Sequence, residues 1–246
     1  MAIPEPSDRP GTDEHREAVD RAEAALLDPA MAPLVEVVLR RHADGRRDTY
    51  EAASVTGRVR FDRTDVGAGW AFGHEVVDGV NPLADQSTDR FAPLAEERAN
   101  PFPDRARNAY PNAYEQVAQL FDSPSAPDLI AIHTAAHNWE DEGGHRGEHG
   151  SIDVVQARAP FILAGPGVAR RGLVPESCRL VDVAPTVLAL LGVEPGRGVG
   201  LNGRPRDDAF LARQDGEPQL AMMDERGGRP DHVIGFLFDG ANANVL

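Results

Sequence analysis

The chain has no lysine: its 25 basic residues are all arginine. That excludes a Walker-type phosphate loop and a Schiff-base lysine. Cysteine is reduced to Cys178, which excludes an internal disulfide and a cysteine-rich zinc cluster. No apolar run approaches the length of a membrane span. The opening stretch, MAIPEPSDRPGTDEHREA, is polar and acidic and lacks the apolar centre of a secretory signal. A cytoplasmic protein without a membrane partner is therefore expected. Positive charge is also scarce, with 25 basic residues against 40 acidic ones and a net charge of −15. An acidic surface repels duplex nucleic acid and anionic membranes. A local metal site remains compatible with an anionic ligand.

The chain does have length and apolar content. Its 246 residues, 41% of them hydrophobic, suffice for a folded core. Residues 1–12 read as a disordered leader and residues 13–246 as a single domain. A helix is predicted from Asp13 to Leu27, with Thr12 as its N-cap and Pro29 beyond its end. LVEVVLRR (34–41) is β-like, and TYEAASVTGRVRF (49–61) reads as a hairpin with Thr56-Gly57 at its turn. Residues 62–105, rich in Asp, Pro, Arg and Gly, read as a long irregular connection. Helix returns at 113–121, where Val117, Leu120 and Phe121 share a face.

The second half reads differently. DLIAIH (128–133), APFILAG (159–165) and DHVIGFLFDG (231–240) look like buried strands. VDVAPTVLALLGV (181–193) reads as an apolar helix with Pro185 in its first turn and Gly192 at its end. Alternating strands and helices imply an α/β sheet. Function in such sheets gathers at the carboxyl ends of strands, where His133 and Asp239 are expected.

The densest chemistry lies in HNWEDEGGHRGEHGS (137–151). His133, His137, His145 and His149 accompany Glu140, Asp141, Glu142 and Glu148. Imidazole and carboxylate groups are ligands for zinc and similar divalent ions, and the interspersed glycines permit a chain to fold back around an ion. The same stretch also reads as a solvated polar loop. Gly165-Pro166-Gly167 reads as a turn. Ser151 lacks the strand–elbow–helix setting of a serine nucleophile. Cys178 reads as an ordinary thiol, and Asp182 as a helix N-cap before a ligand.

GEHGS (147–151), APFILAGPGV (159–168) and LVDVAPTVLALLGV (180–193), in that order and spacing, resemble the C-terminal part of the alkaline phosphatase superfamily. The similarity is to its type I phosphodiesterase/nucleotide pyrophosphatase branch and is best over residues 106–193. DHVIGFLFDGANANVL (231–246) is similar to the family strand whose terminal Asp-Gly supplies a metal carboxylate. The resemblance implies a three-layer α/β/α sandwich around a mostly parallel sheet. It also implies two divalent ions, usually zinc, that hydrolyse a small phosphate mono- or diester by attack of a Thr or Ser. The ions, rather than the acidic surface, would attract the phosphate.

On that resemblance His149 matches the histidine of Gly-x-His-Gly, and Asp239 matches the Asp-Gly carboxylate. His137 stands where the family has Asp-His-Gly, but here the motif reads Ala136-His137-Asn138. On the resemblance either Glu140 or Asp141 substitutes for the missing aspartate or that ion binds weakly, and His145 is a further candidate. The Asp-Gly element comes last rather than first in the chain. No segment matches the family nucleophile or its Asp-x-x-x-His pair, so the catalytic residue is unknown. The expectation is a truncated or permuted phosphodiesterase-like hydrolase. The alternative is a non-catalytic binding or interaction module, or a fragment, of the same type. An incompletely covered sheet would favour association with a partner.

Overall fold

A computed structural model describes residues 12–43, 48–67, 69–86, 109–123, 125–134, 151–157, 159–174 and 178–238. They fall into two compact units. The first comprises the described residues of Met1–Thr64 and Ala71–Arg158, the second those of Asp65–Trp70 and Ala159–Leu246.

The first unit opens with helix α1 (Asp13–Leu26). The Thr12 hydroxyl accepts a hydrogen bond from the His15 amide at 3.2 Å, satisfying one of the donors a helix start leaves open. Strands β1 (Val35–Ala43), β2 (Asp48–Ser54), β3 (Gly57–Asp65) and β4 (Trp70–Gly79) follow. Helix α2 (Ala113–Leu120) and strand β5 (Leu129–His133) come next, then the short helix α3 (Val154–Ala157). The five strands form one sheet in the order β4-β3-β2-β1-β5.

Alternation decides the faces of this sheet. Val37, Leu39, Tyr50, Ala52, Val59 and Phe61 point to one side, where α2 covers them with Ala113, Tyr114, Val117, Ala118 and Phe121. The Phe61 ring stacks on Tyr114 at a centroid distance of 4.3 Å and on Tyr50 at 5.5 Å. Such pairs add about 0.5–1.5 kcal/mol each beyond their buried area. The other side carries Arg40, Glu51, Arg58 and Arg60; Arg40 pairs with Asp20 and Glu23 of α1, Arg58 with Glu23 of α1, and Arg60 with Glu51.

This arrangement corrects the expected fold. The sheet is mainly antiparallel, with β1–β2, β2–β3 and β1–β5 all antiparallel. It is not the mostly parallel sheet of an α/β/α sandwich. The β2–β3 connection is only Val55-Thr56, too short to carry a parallel crossover. Strand β4 lies within the stretch read as irregular. Its residues are mostly exposed, so it has no apolar alternation to announce it. DLIAIH is a strand, but it joins the sheet antiparallel to β1.

The second unit contains helix α4 (Val183–Leu190) and a hairpin of β6 (Gly196–Val199) and β7 (Pro205–Ala209). Gly192, at φ +66°, ends α4 in the left-handed conformation that glycine tolerates. Residues 159–165 and 231–238 are not strands. Ile162 is 76% exposed and Leu237 92%. An apolar run becomes a strand only where a neighbouring strand accepts its backbone hydrogen bonds, and among the described residues neither segment has one.

Candidate metal centre and its frame

His137, Glu140, Asp141, His145, His149 and Asp239, the metal ligands expected from the sequence, lie outside the described residues. Described structure reaches both flanks of the histidine-rich segment, at His133-Thr134 and at Ser151.

The first flank is the end of β5. His133 pairs with Val35 of β1. Its ring Nδ1 lies 2.9 Å from the Thr134 carbonyl oxygen. A carbonyl oxygen only accepts, so Nδ1 must carry the proton and donate. In the neutral ring Nε2 then keeps its lone pair. Histidines that bind metals commonly have their second nitrogen fixed in this way. Thr134 is buried; its amide donates to Leu34 O at 3.0 Å and its hydroxyl to Pro33 O at 3.0 Å.

The second flank is equally tied down. The Ser151 hydroxyl accepts from the Asp153 amide at 3.3 Å, and Asp153 Oδ1 accepts from the Gln156 amide at 3.2 Å at the start of α3. The Val154 amide donates to Ala109 O at 2.8 Å. Ser151 is therefore part of a local turn, buried at 7% exposure.

Glu36 is linked through its neighbours to both flanks. It lies at a bulge in β1, where the register with β5 shifts between Val35 and Val37. Its carboxylate is buried, and the Tyr110 hydroxyl donates to Oε1 at 2.5 Å. Oε2 has no hydrogen-bond partner among the described residues. A buried acceptor left in that state is costly. Tyr110 follows Ala109, the residue that receives Val154. Pro33 and Leu34, which hold Thr134, lie just before Glu36. Both flanks thus attach to one frame built from the start of β1 and Ala109-Tyr110. The sequence gives one sign of Glu36, a lone acid within the apolar run of β1. Tyr110 gives none.

Two other polar clusters are structural. Burial alone would raise the Glu51 pKa. The His42 ring, its Nε2 3.5 Å from Oε2, and the guanidinium groups of Arg58 and Arg60 outweigh burial and lower it to about 2. Its oxygens face Arg58, Arg60 and His42, a set of cationic and imidazole partners suited to pairing within the sheet. Asp182, buried at 4% exposure, accepts from the Arg179 amide at 2.8 Å, the Glu217 amide at 2.9 Å and the Gln219 side-chain amide at 3.1 Å. Thr186 donates to Asp182 O at 2.6 Å and accepts from the Gln219 amide at 2.9 Å. The Asp-x-x-Pro-Thr motif thus fastens α4 to residues 217–219. Asp182 makes no side-chain N-cap bond to α4 itself.

Among the described residues no three His, Cys, Asp or Glu side chains converge as a metal site. No helix among them is long and apolar enough to cross a membrane. No family model, no curated protein and no solved structure matches this chain.

Proposed function

We propose that the chain binds a divalent cation, zinc by its ligand chemistry, through His133 and the histidine-rich segment that follows it, and that it acts on small phosphate esters. The observation that carries this reading is the hydrogen bond from His133 Nδ1 to Thr134 O, which leaves Nε2 available as a ligand. The sequence resemblance supplies the partners: His149 and His137 as histidine ligands, Glu140 or Asp141 as carboxylate, and His145 and Asp239 as further candidates. A bound ion would supply Lewis-acid stabilisation of the phosphate oxygens. The chain's own task is to hold its donors in place. The anchoring of Thr134 on β1 and of Ser151 on α3 supports that role.

Calorimetric titration of metal-stripped protein with zinc tests the binding. His133→Ala and His149→Ala are each expected to weaken it by about tenfold or more. Hydrolysis of bis(p-nitrophenyl) phosphate, lost on adding chelator, tests the activity. Unchanged zinc affinity in both variants overturns the ligand assignment, and turnover unaffected by chelator overturns the metal reading.

The antiparallel sheet favours a second reading, a non-catalytic metal-binding or interaction module. Such a sheet lacks the row of parallel strand ends from which the family builds its two-metal site. Zinc binding without turnover of any phosphate ester is the expected result in that case.

A further inference from the structure

The sheet of the first unit has two edges of opposite character. The β4 edge bears His74, Glu75 and Asp78, all exposed. Charged edges resist pairing with another chain. The β5 edge, Leu-Ile-Ala-Ile-His, has no charged acid or arginine and no proline. One face packs on the core through Ile130 and Ile132, and just before the strand His15 of α1 lies 3.2 Å from Asp128. Among the described residues β5 pairs only with β1. Among the described residues its outer row of backbone donors and acceptors therefore has no strand partner.

The second unit carries a segment of complementary kind. His232–Phe238, HVIGFLF, has no secondary structure and no acid or arginine. Ile234 is 77% exposed, Phe236 79%, Leu237 92% and Phe238 74%. Branched and aromatic residues favour strands. Extended, the segment spans about 23 Å, enough to cover the whole of β5.

We propose that His232–Phe238 of one copy adds as a strand to the β5 edge of a second copy, and that the reciprocal exchange closes a dimer. Backbone hydrogen bonds satisfy the open edge, and the side chains of the added strand extend the apolar faces on either side. Phe236 and Phe238 carry about 150–250 Å² each, so two reciprocal strands with Val233, Ile234 and Leu237 reach the roughly 1,200–2,000 Å² of a stable interface. The uncharged segment suits this association, because two chains of charge −15 otherwise repel each other.

Sedimentation velocity on the full chain over a range of concentrations, with hydrogen exchange at dimer and monomer concentrations, tests the proposal. The expected result is a concentration-dependent dimer in which amides of both 129–133 and 232–238 gain protection. The double variant Phe236→Asp, Leu237→Asp changes exposed residues only. It is expected to raise the dimer dissociation constant by roughly a hundredfold or more. Ile234→Pro, which removes one backbone donor, is expected to act in the same direction. A monomer at all concentrations overturns the proposal, as does a dimer indifferent to these variants. Protection of 232–238 in the monomer overturns it in favour of pairing within one chain, and open-ended polymer overturns the closed dimer.

Discussion

The two units bury polar groups by different means. In the first, charge is buried against charge: Glu51, at 2% exposure, lies between Arg58, Arg60 and His42, while the opposite face of the sheet is closed by Tyr50, Phe61, Tyr114 and Phe121. In the second, polar side chains are buried against backbone. Asp182 and Thr186 hold residues 217–219, and Gln214 accepts from the Phe210 amide at 2.7 Å while donating to Gly216 O at 3.1 Å. Little apolar surface is buried there. Leu190, Ala209 and Pro185 are inside, whereas Ile162, Leu173, Leu180, Leu220 and the 233–238 side chains are outside. A layered sheet removes apolar side chains from water, whereas a chain of turns around a few polar anchors satisfies its backbone without doing so.

The largest expected effect sets core against surface. Phe61→Ala removes a ring buried at 1% exposure between Tyr50 and Tyr114. It should cost the first unit about 3–5 kcal/mol, read as a fall in the denaturant midpoint followed by near-ultraviolet circular dichroism. Phe236→Ala, at a site 79% exposed, should change monomer stability by less than about 0.5 kcal/mol. Equal losses at the two sites would show that 233–238 is packed.

Acid separates the two ways of burying charge. The Glu51 pKa, about 2, lies below its ordinary 4.5. Its contribution is therefore complete above about pH 4.5 and is lost as pH falls towards 2. The difference corresponds to at most about 3.5 kcal/mol. Glu51→Gln should remove that part of the acid dependence, as measured by denaturation between pH 2 and 6. If wild type and variant lose stability in parallel over that window, the pairing of Glu51 is not what acid disrupts.

In the second unit, Asp182→Ala leaves the Arg179 and Glu217 amides and the Gln219 side chain without their acceptor. A loss of about 2–3 kcal/mol is expected, with faster hydrogen exchange confined to residues 179–190 and 216–219. Exchange that quickens equally in the β1–β5 sheet would contradict the local character of this anchor. The smallest effect is at the start of α1. Thr12→Ala deletes the bond to the His15 amide and should cost about 1 kcal/mol, measured by thermal melting.

Residues whose structure depends on near neighbours were legible in the sequence. Thr12 caps α1, residues 49–61 form a hairpin, and Gly192 closes the 183–190 helix. Each rests on a contact within a few positions of the chain. The apolar runs at 159–165 and 231–238 misled for the complementary reason. A strand is completed only by another strand, and apolar content carries no information about whether one is near. Strand β4 is charged and mostly exposed, so its sequence carries no half-buried alternation. The frame of the candidate site was hidden in the same way. Glu36 and Tyr110 lie far apart in sequence, and a β-bulge with a bond across that separation brings them together.

The sequence by itself determined the local elements, the absence of lysine and of an internal disulfide, and the concentration of metal-type ligands after His133. Those follow from residue type and short-range geometry. Tertiary structure decided the strand order and its antiparallel sense, the exposure of residues 233–238, and the structural rather than ligating use of Asp182. Each of these depends on which distant backbone or side chain supplies the missing partner. That choice is made by packing the whole chain, and no window of sequence contains it.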